Sequence, residues 1–134
     1  MKLRLIVCLD DKNGMAFNHR RQSRDCIVTA KIAELVKGST LHFSPYSSKL
    51  FPSGDFMPSE DYLSGAGEDD FCFVEQEDVT PYEQQIKEIT VFRWSRVYPA
   101  DLYFPIELTQ WRLEQTVEFP GNSHEKITME VYER

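Results

Sequence analysis

Near its start the chain carries Leu3-Arg4-Leu5-Ile6-Val7-Cys8-Leu9, a short and almost continuous apolar run closed by Asp10-Asp11-Lys12-Asn13-Gly14. A run of this length, bounded by turn residues, reads as a strand covered on both faces rather than one. Such a strand belongs inside a mostly parallel sheet, and parallel neighbours need crossover segments between them. The next segment fits: after a polar, basic stretch from Ala16 to Arg24, read as loop, Ser23 or Asp25 can cap a helix. Ile27, Val28, Ile32, Leu35 and Val36 give that helix an apolar stripe, and Lys37-Gly38 closes it.

The remaining elements follow the same logic. Leu41-His42-Phe43 is a short strand, and Pro45 to Phe51 a short helix opened by proline. Pro52 to Asp70 is rich in Gly, Ser, Pro and acid and reads as a loop of little regular structure, of a length that marks either function or deletion. Phe71 to Val74 is a buried strand, Thr80-Pro81-Tyr82-Glu83 a helix start with threonine as cap, and Ile89 to Trp94 another strand. Trp111, Leu113, Val117 and Phe119 alternate with polar residues, as do Ile127, Met129 and Val131. Pro120-Gly121-Asn122-Ser123 joins the two runs as an antiparallel hairpin. The order predicts one α/β domain over residues 1–134, a mostly parallel sheet ending in an antiparallel hairpin.

Composition narrows the function classes. Fifteen Lys and Arg against 22 Asp and Glu give a net charge of −7, whose field opposes general nucleic-acid or anionic-membrane binding. Cys8, Cys26 and Cys72 are odd in number and lack metal or redox spacing. The first apolar run is too short, and too charged downstream, for a membrane span or signal peptide, so a cytoplasmic, reduced setting is expected. There is no nucleophile motif, Walker loop or metal-ligand spacing. Trp94, Tyr98, Tyr103, Phe104 and Trp111 read as packing residues rather than a stacking platform.

Several pieces together resemble dihydrofolate reductases. Leu5 to Asp10 followed by Asn13-Gly14-Met15-Ala16 is similar to that family's opening strand and loop. Ala100-Asp101-Leu102-Tyr103-Phe104-Pro105 looks like its G-D-T-x-F-P, Trp111 falls at its penultimate-strand tryptophan, and Val131-Tyr132-Glu133-Arg134 resembles its terminus. Phe71-Cys72-Phe73-Val74 and Pro81-Tyr82-Glu83-Gln84 match the strand before the cofactor glycines and the helix after them. The resemblance implies a dihydrofolate reductase-like α/β fold with the adenosine-binding part largely missing, where Pro52 to Asp70 stands in for a longer stretch.

The departures bear on function. Where the resemblance places a Gly-Gly pair beside the cofactor pyrophosphate, this chain has Glu75-Gln76-Glu77-Asp78. Carboxylates there repel phosphates, and the close approach that glycine allows is lost. Ser44-Pro45-Tyr46-Ser47 stands at the family's G-R-x-T, without the arginine and with a proline that removes an N–H. No cofactor is expected, NADPH included. Asp25 is the one candidate for the family's catalytic acid, on an alignment that shortens the preceding loop (a gapless count puts Val28 there), and reads first as a helix cap near the positive end of the dipole.

His19-Arg20-Arg21-Gln22-Ser23-Arg24 is the most unusual local feature, a basic cluster just before a helix start in an acidic chain. Arginine forks there suit phosphate or carboxylate. One reading is a site for a small anion, a nucleotide or an acidic partner built from Asn18, His19, Arg20, Arg21 and Arg24. The other is that the arginines pair with Glu60-Asp61, Glu68 to Asp70 and Glu75 to Asp78 and hold loops down. The segment is also similar to that of small proteins labelled ribonuclease Z. That chemistry needs clustered histidines around two metals, whereas His19, His42 and His124 stand isolated in the sequence. The leading expectation is a degenerate reductase-like domain that binds an anion or partner, leaning away from an enzyme. Residual pterin- or nucleotide-directed chemistry with Asp25 as acid is the first alternative, and a homodimer formed at an exposed sheet edge the second.

Overall fold

The structure, a computed structural model, describes residues 3–51 and 56–134. Its main sheet has seven strands: β1 (Leu3–Leu9), β4 (Leu41–Phe43), β5 (Phe56–Pro58), β6 (Phe71–Val74), β7 (Ile86–Arg93), β9 (Arg112–Phe119) and β10 (Ile127–Glu133). They lie in the order β5-β4-β6-β1-β7-β10-β9. β1 sits in the centre, parallel to β6 on one side and to β7 on the other. β10 runs antiparallel to both β7 and β9, which gives the antiparallel end expected from the terminal hairpin.

The opening apolar run is buried on both faces because two separate cores need it. Leu3, Leu5, Val7 and Leu9 pack on one face with Tyr62, Leu63, Ile89, Phe104 and Ile106. Ile6 packs on the other with Val28 and Ile32 of helix α1 (Cys26–Leu35), with its C-cap Val36 and with a group of phenylalanines. Each fully buried branched aliphatic side chain stabilises the fold by about 1.5–3 kcal/mol, so this strand fastens both layers. Leu35, expected in the stripe, turns outward instead and is one of the exposed large apolar residues.

Four predicted segments differ. Ala16 to Arg24 is not all loop: β2 (Gly14–Phe17) and β3 (Arg20–Arg21) pair with β8 (Leu102–Tyr103) in a second, three-stranded sheet. Asn18 and His19 turn the β2–β3 hairpin with φ of 54° and 63°, the left-handed pair that a two-residue hairpin turn demands. Strands this short carry too little periodicity to read. Within Pro52 to Asp70, residues 56–70 hold β5 and a one-turn helix α2 (Tyr62–Gly65) rather than irregular chain, with Tyr62, Leu63 and Ala66 buried. Residues 52–55 of that stretch lie outside those described.

Thr80 does not cap a full helix either. The Thr80 N–H is held by Asp78 Oδ1 at 3.0 Å, and the segment forms only a 3₁₀ turn over Thr80–Gln85 with no buried residue. Without an apolar face to pack, a longer helix has nothing to sustain it. Pro45–Leu50 is likewise 3₁₀. The alternation in β9 signals a buried face, yet seven of its eight residues are exposed, because it is the edge strand. Tyr103 is also exposed, whereas Trp94 and Phe104 are buried as expected. Among the described residues no helix is long and apolar enough to cross a membrane.

Candidate functional site

The carboxyl end of β6, the start of α1 and the β9–β10 hairpin loop meet beside the small sheet. Three buried carboxylates gather there, each with its own set of donors.

Glu75 follows β6 directly and is buried. Arg21 on β3 reaches it through Nε at 2.7 Å and Nη2 at 3.0 Å, a two-pronged ion pair, and Ser47 Oγ donates to it at 2.6 Å. Tyr46 completes the clamp: its hydroxyl accepts from the Arg21 N–H at 3.1 Å, and its ring lies 4.5 Å from the guanidinium. Burial, then the nearby Glu75 charge, pushes the Cys8 thiol far up, so it stays protonated. The space left beside these groups is a cavity of about 10 Å³ lined by Cys8, Met15, Gln22, Ser23 and Trp94 among others, room for no more than one water.

Asp25 is the N-cap of α1 and accepts from the Ile27 N–H at 2.9 Å. It also accepts from the N–H groups of Asn122 and Ser123, both at 2.9 Å, and lies 2.8 Å from His124 Nδ1. Burial alone would raise its pKa. The bonds from Asn122, His124, Ser123 and Ile27 outweigh that and hold the carboxyl well below the usual carboxylate range. An ionised carboxylate only accepts, so the proton of a neutral His124 sits on Nδ1 and Nε2 is left as acceptor. Ser23 Oγ lies 2.9 Å from that Nε2 and the Tyr98 hydroxyl 3.2 Å. The ring is further fixed by stacking on Trp94, with centroids 4.7 Å apart.

Asp10, the third carboxylate, accepts from the N–H groups of Lys12 and Gly14, both at 2.8 Å, from Gln22 Nε2 at 3.0 Å and from the Tyr98 N–H at 3.2 Å. Here too burial opposes ionisation, and these bonds win and lower its pKa. Gly14 is required by packing: a Cβ would lie 2.7 Å from Asp10 Oδ2 and 2.8 Å from Ala100 Cβ. The side-chain oxygen of Gln22 is buried with no partner among the described residues.

The predicted basic site is therefore split. Arg21 is turned inward onto Glu75, whereas Asn18, His19, Arg20 and Arg24 are exposed. Asn18 N–H donates to Asp101 Oδ2 at 3.1 Å and the His19 carbonyl accepts from Gln76 at 2.8 Å. Asn18, Arg20 and Arg21 line a surface groove together with Phe17, Tyr98 and Pro99. Of the acidic stretches, only Glu75 meets an arginine of the cluster. Asp69 and Asp70 pair with Lys87 and His42 instead. His124, which stands alone in the sequence, is nearly buried and central; its partner Ser23 is 101 residues away, a separation no local pattern announces. Among the described residues, no three His, Cys, Asp or Glu side chains are grouped to hold a metal.

No family model and no curated protein sequence matches the chain. Among solved structures, dihydrofolate reductase from Enterococcus faecalis, complexed with NADP(H) and RAB-propyl, superposes with a TM-score of 0.72. The match covers 99% of this chain and 96% of that one at 12% sequence identity. The fold is dihydrofolate reductase-like. At this identity the likeness carries the architecture and leaves chemistry to the residues. In this dihydrofolate reductase-like scaffold, the position after β6 is filled by Glu75, and the Asp25 helix cap is covered by the hairpin loop.

Proposed function

We propose that the chain is a degenerate dihydrofolate reductase-like domain that does not run NADPH-dependent reduction and takes a small anion or an acidic partner on its exposed basic hairpin. The observation that carries this is the Glu75 clamp. A buried carboxylate, held by Arg21 and Ser47, stands at the end of the strand where the resemblance puts cofactor glycines. A dinucleotide would have to displace a satisfied ion pair and lay its phosphates on the carboxylate. Asp25 supports the same reading: with five donors already within reach, it has little left to offer a pterin ring.

What stays available is the outer rim. Arg20 and Arg24 form no ion pair among the described residues, and both are exposed on either side of the inward-turned Arg21. Their forks suit phosphate or carboxylate oxygens.

The experiment is a calorimetric titration with inorganic tripolyphosphate at low ionic strength, alongside an absorbance assay with NADPH and dihydrofolate. Binding that weakens about tenfold in the R20A/R24A double variant, with no turnover, is the expected result, in line with ~1.5–3 kcal/mol for a hydrogen bond to a charged group. Turnover of dihydrofolate by the wild-type chain would end the reading. A second use of the surface has one specific support, the exposed edge strand β9 with Leu113 and Val117 facing solvent, which fits a homodimer. A monomer by light scattering removes it.

A further inference from the structure

Beyond anion binding, we propose that Ser23 is an acylatable nucleophile, activated by His124 and oriented through Asp25, which hydrolyses small acyl esters. Ser23 Oγ lies 2.9 Å from His124 Nε2, and His124 Nδ1 lies 2.8 Å from Asp25 Oδ2. These are the two contacts a serine–histidine–carboxylate relay requires, and such relays are recognised by geometry rather than sequence order. The carboxylate is fully shielded and held ionised, as the orienting member must be. The imidazole is fixed in plane by Trp94, with its accepting nitrogen turned to the serine.

Two further observations fit a reacting acyl group. The backbone N–H groups of Ser23, Arg24 and Cys26 have no hydrogen-bond partner among the described residues, so they remain free to donate to a developing oxyanion. The cavity next to Ser23 holds no more than one water, so the acyl group reaches Oγ from the solvent side, where Ser23 is half-buried.

The step balances without a cofactor. The Ser23 oxygen bonds to the carbonyl carbon as its proton passes to His124 Nε2. The carbon–oxygen bond to the alcohol then breaks, and the alcohol leaves with that proton. Water attacks the acyl-serine, gives a proton to His124, and the acid departs as Ser23 is restored.

The same bonds fasten the hairpin loop, so the test separates chemistry from fastening. The full chain is treated with a fluorophosphonate probe and assayed with p-nitrophenyl acetate. We expect one adduct, mapped to Ser23, and ester hydrolysis at least a hundredfold slower in S23A, which leaves Asp25 and Tyr98 on the imidazole. K37A, an exposed change just past the C-terminal end of α1, should leave labelling unchanged. Absence of an adduct at Ser23, or S23A hydrolysing as fast as the wild type, would overturn the proposal.

Discussion

A carboxylate buried like Glu75 is costly to ionise unless positive charge and hydrogen bonds reach it. Arg21 supplies both, with two N–H groups on the carboxylate and a tyrosine ring beneath the guanidinium. Replacing Arg21 with Met should therefore cost about 2–4 kcal/mol in a urea melt, because Glu75 is left charged without its partner. R21M/E75L should recover most of that loss, and R20A, a change at an exposed side chain, should cost under ~0.5 kcal/mol. Asp25 gives the complementary pH effect. Its pKa is lowered on folding, so its stabilisation is complete above the unfolded value of about 3.9 and is lost as pH falls from there toward the folded value. D25N should cost about 2–3 kcal/mol at pH 7, where charge-assisted bonds are replaced, and the gap to wild type should narrow steadily below pH 4. An unchanged gap between pH 7 and pH 2 would contradict this account. The sequence displays the residue types at these points but not their partners: Arg21 and Glu75 are 54 positions apart, and Asp25 and His124 are 99.

The hairpin loop between β9 and β10 folds over the start of α1, and its backbone docks there together with the Ser123 and His124 side chains. Asn122 and Ser123 present N–H groups to Asp25, while Gly121 passes so close that a Cβ there would lie 2.6 Å from Asp25 Oδ2 and 2.7 Å from Ile127 Cδ1. G121A should push the loop off the helix cap, with a loss of about 1–3 kcal/mol typical of overpacking. Hydrogen exchange at the Asn122 and Ser123 amides would then accelerate while β1 stays protected. If both amides remain as protected as in wild type, the loop is held by something other than Asp25. Legibility at this scale tracked length and burial. β1, β6 and the terminal hairpin were readable because apolar runs and alternation are long enough to show. β3 has two residues and β5 three, too few for any period, and α2 is a single turn inside a segment dominated by Gly, Ser and Pro. β9 alternates like a half-buried strand yet lies open at the sheet edge, since pattern reports which residues share a face and not whether anything covers it.

Across the whole molecule, the reductase-like architecture and the contents of its cleft point in different directions, and ligand linkage can weigh one against the other. A ligand that binds only the folded state raises stability by RT ln(1 + [L]/Kd). If the chain held NADPH with a Kd near 1 µM, 1 mM cofactor would add about 4 kcal/mol. For a chain of 134 residues each kcal/mol moves Tm by about 3–5 °C, so the melt would shift by more than 10 °C. With Glu75 clamped at the strand end and little free space beside it, Kd should lie at or above ~1 mM, and the same addition then contributes no more than ~0.4 kcal/mol. The expected shift is below about 2 °C. Tripolyphosphate at matched ionic strength should move Tm further than NADPH does, because the exposed Arg20 and Arg24 need no ion pair broken before they bind. An NADPH shift larger than the tripolyphosphate shift would mean that the cleft opens, that Arg21 leaves Glu75 to do so, and that the scaffold has kept its cofactor site after all.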